Sequence, residues 1–165
     1  MNLEQERNSN RSILYISYDG IMEPLGISQV LSYMKGLSKE FNIHLVSFEK
    51  DDDIRNKHKL NHYQSKLSEL GISWSRHNYD SSPKILSGFL NILLGTLVSI
   101  KICLKHRIEL IHIRSYMPGL IALPLKIFFR NKLIFDIRGF WPEEKVDRAG
   151  WSKKGFLYKF FKYLE

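Results

Sequence analysis

Short apolar runs and longer stretches with apolar residues every three or four positions take turns from residue 12 to the end of the chain. The run Ser12 to Tyr18 is apolar with isoleucines and stops at Asp19-Gly20, the mark of a buried strand entering a loop. From Ile27 onward Val30, Leu31, Met34 and Leu37 follow helical spacing, so this segment predicts a helix with one face on a core. Asn42 to Phe48 predicts a second strand, and Asp51 to Leu70 a polar surface helix stopped by Gly71 at the C-cap position. Ile72 to His77 predicts a third, weaker strand, followed by a turn over 78–82 and Pro83 at the first turn of the next helix.

Ile85 to Leu104 predicts a long helix whose first sixteen residues, Ile85 to Ile100, carry no charge and approach the length of a membrane span. Ser87, Asn91, Gly95 and Ser99 recur four apart and draw a thin polar or small stripe along it. Strand patterns on both sides favour a buried or membrane-resting helix over a spanning one. Leu110 to Ser115 predicts a fourth strand, Pro118 to Phe129 a helix kinked at Pro124, and Lys132 to Ile137 a fifth strand. Residues 138–142 read as an irregular loop, and the chain from Gly150 as a helix mixing lysines with aromatics.

Strands that alternate with helices require parallel pairing through right-handed crossovers, so the expected class is α/β with a doubly wound, mostly parallel sheet. At 165 residues the chain is long enough for one domain that buries roughly 70% of its unfolded surface. Residues 1–11 are polar, are expected to be disordered and lack the apolar core of a secretory signal, which points to the cytoplasm, with the inner membrane face as an extension. The lone Cys103 excludes an internal disulfide and sits in an apolar stretch as a buried thiol would. A formal charge of +8 favours a polyanionic partner: a nucleotide diphosphate, an anionic membrane or nucleic acid.

In a doubly wound sheet, ligands bind beyond the carboxyl ends of the strands, and this rule selects three segments. Asp19 to Ser28 joins a strand to a helix whose first amides favour an anion; Gly26 permits close approach of backbone to a phosphate, and Ser28 caps the helix or touches the ligand. His112, Arg114, Ser115 and Tyr116 end the fourth strand, where a guanidinium at 114 suits a carboxylate, a phosphate or a sugar hydroxyl. Asp136, Arg138, Gly139, Trp141, Glu143 and Glu144 crowd the end of the fifth. Asp136 and Arg138 share a strand face and are expected to pair, either as catalytic groups orienting a hydroxyl or as a bridge that fixes the loop. Arg114, Tyr116, Trp141, Glu143 and Glu144 are the candidate acceptor contacts. His112, inside its strand, fits a core histidine better than a catalytic one. His58 and His62 lie one helical turn apart without a third ligand nearby, so no metal site is expected.

The segments 13–38 and 111–144, the latter including Asp136-Ile137-Arg138-Gly139, together resemble the N-terminal domain of glycosyltransferase family 4, in the subgroup with an Asp-x-Arg-Gly motif. The resemblance implies residues 12–165 as the acceptor-side, Rossmann-like half of a GT-B fold, with the C-terminal donor-binding domain absent from the sequence. It implies a retaining transfer of sugar from a nucleotide-diphosphate donor to a glycan or lipid-linked acceptor, with that sugar nucleotide as co-substrate and no metal or other cofactor. It places Gly26 against the donor diphosphate and Arg114, Asp136 and Arg138 along the acceptor side. Relatives often carry a histidine near the end of the fifth strand, where this chain has Phe135-Asp136-Ile137-Arg138. One domain without its donor half is expected to be inactive alone.

Three other readings compete. A nicotinamide- or methyl-donor-binding domain wants a glycine fingerprint and an acid after the second strand, for which only Glu49 offers itself. A phosphoacceptor signalling domain wants paired acids after the first strand, and only Asp19 and, loosely, Asp80 answer. Nucleic-acid binding has the charge and no recognised motif. The tail from Trp151 to Glu165, basic and amphipathic, suits an anionic membrane surface or a helix that covers the sheet.

Overall fold

A computed structural model describes residues 11–79, 84–137 and 139–164, with side chains except at 84–86 and 164. Residues 1–10, 80–83 (with Asp80 and Pro83), Arg138 and Glu165 lie outside the described residues. Five strands, β1 (Ser12–Ser17), β2 (Asn42–Glu49), β3 (Ser73–Asn78), β4 (Ile108–Arg114) and β5 (Lys132–Asp136), form one sheet in the order β3-β2-β1-β4-β5. Every pairing is parallel, Ser17 aligning with Ser47 on one side and Arg114 on the other, and Arg114 with Asp136. The expected α/β, Rossmann-like architecture is present, and strand order reverses between β1 and β4.

Alternation along the strands divides the core into two layers. Leu14, Ile16, Val46, Phe48, Ile111 and Ile113 face one way, beneath α5 (Lys84–Lys105) and α6 (Tyr116–Phe128), which adds Ile121, Ala122 and Leu125. Tyr15, Ile43 and Leu45 face the other way, beneath the π-helical α1 (Gly26–Leu31), its continuation α2 (Ser32–Leu37) and α4 (Lys57–Glu69). Central β1 is buried throughout, whereas edge strand β5 exposes Leu133 and Ile134.

The structure departs from the sequence expectations in local ways. The surface helix predicted over 51–70 breaks into α3 (Asp51–Arg55) and α4, because Asn56 leaves the helical region and its side chain caps α4 by accepting from the Lys59 amide at 3.1 Å. The helix after β4 begins at Tyr116, two residues before Pro118. Trp141–Ala149 forms α7, which takes in the last two residues of the loop expected over 138–142 and a stretch to which no element was assigned; Pro142 in its first turn, Glu143 and Glu144 beside the positive end, and left-handed Gly150 after it are ordinary helix start and stop signals. The tail helix α8 starts at Phe156 rather than Gly150.

Candidate functional site at the carboxyl edge of the sheet

The loop between β1 and α1 is built around a buried acid. Glu49, at the end of β2 and fully buried, accepts from the Ile21 amide at 2.9 Å, the Met22 amide at 3.2 Å and the Ser47 hydroxyl at 2.6 Å. Burial raises its pKa above the ordinary carboxylate value, with the three hydrogen bonds pulling the other way. This occupation removes Glu49 from the ribose-binding role that a nicotinamide-type site would need. Gly26 sits in the first turns of the helix, and a Cβ there would lie 2.2 Å from the Gly20 carbonyl oxygen and 2.7 Å from Ile21 Cα. Glycine at 26 thus lets the helix start press directly onto the loop. Ser28 is exposed, and its hydroxyl donates to the Pro24 carbonyl at 2.9 Å.

Arg114 is oriented from two sides. Its Nη1 donates to Asp136 Oδ2 at 2.8 Å and its Nη2 to Gln29 Oε1, which ties β4 to β5 and to α1. Asp136 therefore pairs with Arg114 across the parallel register; the pair with Arg138 that the sequence suggested falls on a residue outside the described ones. These groups line a cavity of about 370 Å³ with Tyr15, Tyr33, His112 and Ile134. Burial lowers the pKa of His112, and its ring lies 4.6 Å from that of Tyr15, whose phenol is pushed up to about 12, again by burial first. His112 is thus a neutral ring packed among aromatics, as its position inside a strand suggested.

The larger cleft, about 520 Å³, opens at the carboxyl ends of β1, β3 and β4 and the start of α7. Tyr18, Tyr79 and Trp141 supply partly exposed aromatic surface over the buried Tyr116, and Asp19, Glu144 and Lys145 supply charge. Tyr116 and Trp141 stack at 5.7 Å with an interplanar angle of 27°, and Lys145 Nζ stands 5.1 Å from the Trp141 ring centre. The Trp141 ring is backed by Phe161 of α8 and by Trp151 of the segment before it, which meet it edge-on at 4.8 and 5.5 Å. Ser115 forms part of the lining at φ 74°, ψ 175°, a region that side-chain-bearing residues avoid, and its amide donates to the Asp136 carbonyl at 3.0 Å.

The predicted residues therefore divide. Tyr116, Trp141 and Glu144 share the cleft; Arg114 and Asp136 share the neighbouring cavity; Gly26 and Ser28 lie on the helix whose Gln29 holds Arg114. Glu143 turns away to α8, where its Oε1 accepts from Lys162 at 2.8 Å and from Tyr158 at 3.1 Å, and the Lys162 bond lowers its pKa. Sequence reasoning missed Gln29, Tyr18, Tyr79 and Lys145 as lining or supporting groups. Tyr18 and Tyr79 directly follow strands β1 and β3, so the carboxyl-edge rule itself points to them. Among the described residues no group of three His, Cys, Asp or Glu is arranged to hold a metal ion.

No protein-family model matches the sequence, and no curated protein matches it either. Solved structures do resemble it. The C-terminal domain of a hydrogenase from Pyrococcus furiosus superposes with a TM-score of 0.55 at 10% identity, over 78% of this chain and 92% of that one. A glycosyltransferase from Rickettsia africae superposes with a TM-score of 0.51 at 13% identity, over 84% of this chain and 34% of that one. The likeness is one of fold. This chain thus spans about a third of the length of the glycosyltransferase that it resembles.

Proposed function

We propose that this chain is the acceptor-side half of a glycosyltransferase, with the carboxyl-edge cleft holding the sugar that receives the transferred unit. The observation that carries this reading is the composition of the cleft: a partly exposed Trp141 ring backed by the buried Tyr116, with Tyr18, Tyr79, Asp19, Glu144 and Lys145 around it, at the point where strand order reverses. Aromatic faces suit the C–H faces of a pyranose, and carboxylates and an ammonium suit its hydroxyls. Of the two adjacent glutamates, Glu144 faces the sugar, while Glu143 fixes α7 to α8.

The donor would be a nucleotide-diphosphate sugar whose phosphates approach the start of α1, near Gly26 and Ser28. As the glycosidic bond breaks, charge grows on the diphosphate leaving group, and oriented amides and a guanidinium lower the barrier by meeting that charge. Asp136 and Arg138 are the proposed catalytic groups on the acceptor side. Asp136, paired with Arg114, orients the acceptor side, so Arg114 acts as a positioning residue through Asp136 and Gln29. Retention of configuration, a glycan or lipid-linked acceptor, a cytoplasmic setting and a separate domain for the nucleotide belong to the same proposal.

Saturation-transfer NMR with a panel of mono- and disaccharides tests it. Binding in the millimolar range that disappears in Trp141→Ala and survives in Tyr33→Ala is expected. Absence of sugar binding together with tight binding of a nicotinamide dinucleotide refutes the reading.

A further inference from the structure

Helix α5 is amphipathic in the inverted sense. Its uncharged polar residues Ser87, Asn91, Thr96 and Ser99 are 4%, 6%, 9% and 0% exposed, whereas Phe89, Leu93, Leu97 and Leu104 are 63%, 45%, 56% and 73% exposed. The polar and small stripe faces the sheet and α6. A Cβ on Gly95 would meet Ile121 Cδ1 at 2.7 Å and Phe48 Cζ at 3.0 Å; Thr96 donates to the Ile121 carbonyl at 3.4 Å and Asn91 to the Tyr18 hydroxyl at 3.4 Å. Small residues let α5 approach its neighbours closely, and the leucines are left outside. Helix α6 packs beside it and continues the apolar surface with Leu123, Ile127 and Phe128, the last two 74% and 76% exposed. An uncovered apolar face on two adjacent helices marks an interaction surface.

Charge selects the occupant. Segments 84–107 and 116–132 contain seven lysines and arginines, Lys84, Lys101, Lys105, Arg107, Lys126, Arg130 and Lys132, and no aspartate or glutamate. A second copy of this chain would bring cations against cations. An anionic lipid surface offers hydrocarbon to the leucines and phosphates to the basic residues together. We infer that α5 and α6 rest side by side on an anionic bilayer, with their apolar outer faces in the head-group boundary. The stretch Ser87–Lys105 is long and apolar enough to cross a membrane, but its polar stripe is committed to the sheet and to α6, so it lies along the surface. This inference stands whether or not the cleft handles sugars.

Vesicle co-sedimentation of the whole chain tests it, with vesicles of equal parts phosphatidylglycerol and phosphatidylcholine against phosphatidylcholine alone. Binding to the anionic vesicles only, weakened at least about tenfold by Leu93→Asp with Leu97→Asp and reversed by high salt, is expected. Both leucines are exposed, so an unchanged urea midpoint checks that this variant still folds. A second variant, Phe156→Asp with Leu157→Asp on α8, is expected to bind nearly as well as the parent. Equal binding to neutral vesicles, loss confined to the α8 variant, or retention after alkaline carbonate extraction overturns the inference. So does a dimer in sedimentation velocity that ignores lipid and that the α5 substitutions dissociate.

Discussion

Replacing Glu49 probes the foundation of the cleft, because that carboxylate holds the loop that follows the cleft-lining Tyr18 and Asp19. Glu49→Ala leaves the Ile21 and Met22 amides without their acceptor, and both residues are fully buried. Each buried donor left unpaired costs about 1–3 kcal/mol. The vacated volume adds to this, and release of a desolvated acid subtracts from it, for a net loss of about 3–4 kcal/mol. Ser47 keeps the indole of Trp74, which donates to its hydroxyl at 2.8 Å, so that side of the site contributes little to the loss. Against a typical domain stability of about 5–15 kcal/mol the loss is large, and at a urea slope of about 2 kcal/mol/M it lowers the midpoint by roughly 2 M. The sign with pH is fixed as well. Since the folded pKa of Glu49 lies above its ordinary 4.5, the native state binds the proton more tightly. Its contribution is fully present below pH 4.5 and is lost as pH rises through the folded pKa, so wild type gains on Glu49→Gln as the solution is acidified across that window. Urea titrations of the three proteins at neutral pH and near pH 4.5 measure both effects. A loss below about 1 kcal/mol in Glu49→Ala, or a gap between wild type and Glu49→Gln that moves the other way with pH, refutes the assignment.

Gly26→Ala forces a methyl group onto the Gly20 carbonyl and is expected to cost roughly 3 kcal/mol or more, read by urea unfolding; a neutral result shows that the helix start is looser than described. Ser115→Gly relieves the positive φ and is expected to raise stability by about 1 kcal/mol, measured the same way, while weakening sugar binding in the cleft. Burial pushes the Cys103 thiol up to about 11, so a disulfide reagent at pH 8 is expected to modify the native chain far more slowly than the urea-unfolded one. Burial likewise lowers His44 to about 4, with His106 stacked 4.0 Å away. Its stabilising share is present above pH 6.5 and lost as pH falls towards 4, and His44→Gln should flatten that limb of the stability profile measured by urea unfolding.

The fold was legible because its strands are short apolar runs separated by helix-period segments, and that pattern admits few topologies once crossovers are right-handed. Element ends were less so. Asn56 splits a helix through a side-chain cap that looks like any surface asparagine, and α7 was passed over although Pro142, its two glutamates and Gly150 announce it. For the candidate site, the carboxyl-edge rule leads to the rim where the cleft and its neighbouring cavity lie, but not to the side-chain partners there. Asp136 chose Arg114 because parallel register sets them side by side on adjacent strands, a contact that no local spacing reveals. Gln29 and Glu49 act across long separations in the chain, and the strain at Ser115 is a property of backbone geometry alone. The stripe on α5 was visible as a period of four, but periodicity cannot say which face turns inward; Gly95 against Ile121 and Phe48 decides it.

Chemical-shift mapping of the isotope-labelled chain during titration with a sugar that binds tests the central claim most directly. The expected perturbations form one patch around Tyr18, Asp19, Ser115, Tyr116, Gly139 and Lys145, with the Trp141 indole among the largest. Shifts gathered instead at the opposite end of the strands, around Asn42, His106 and Glu109, would contradict it.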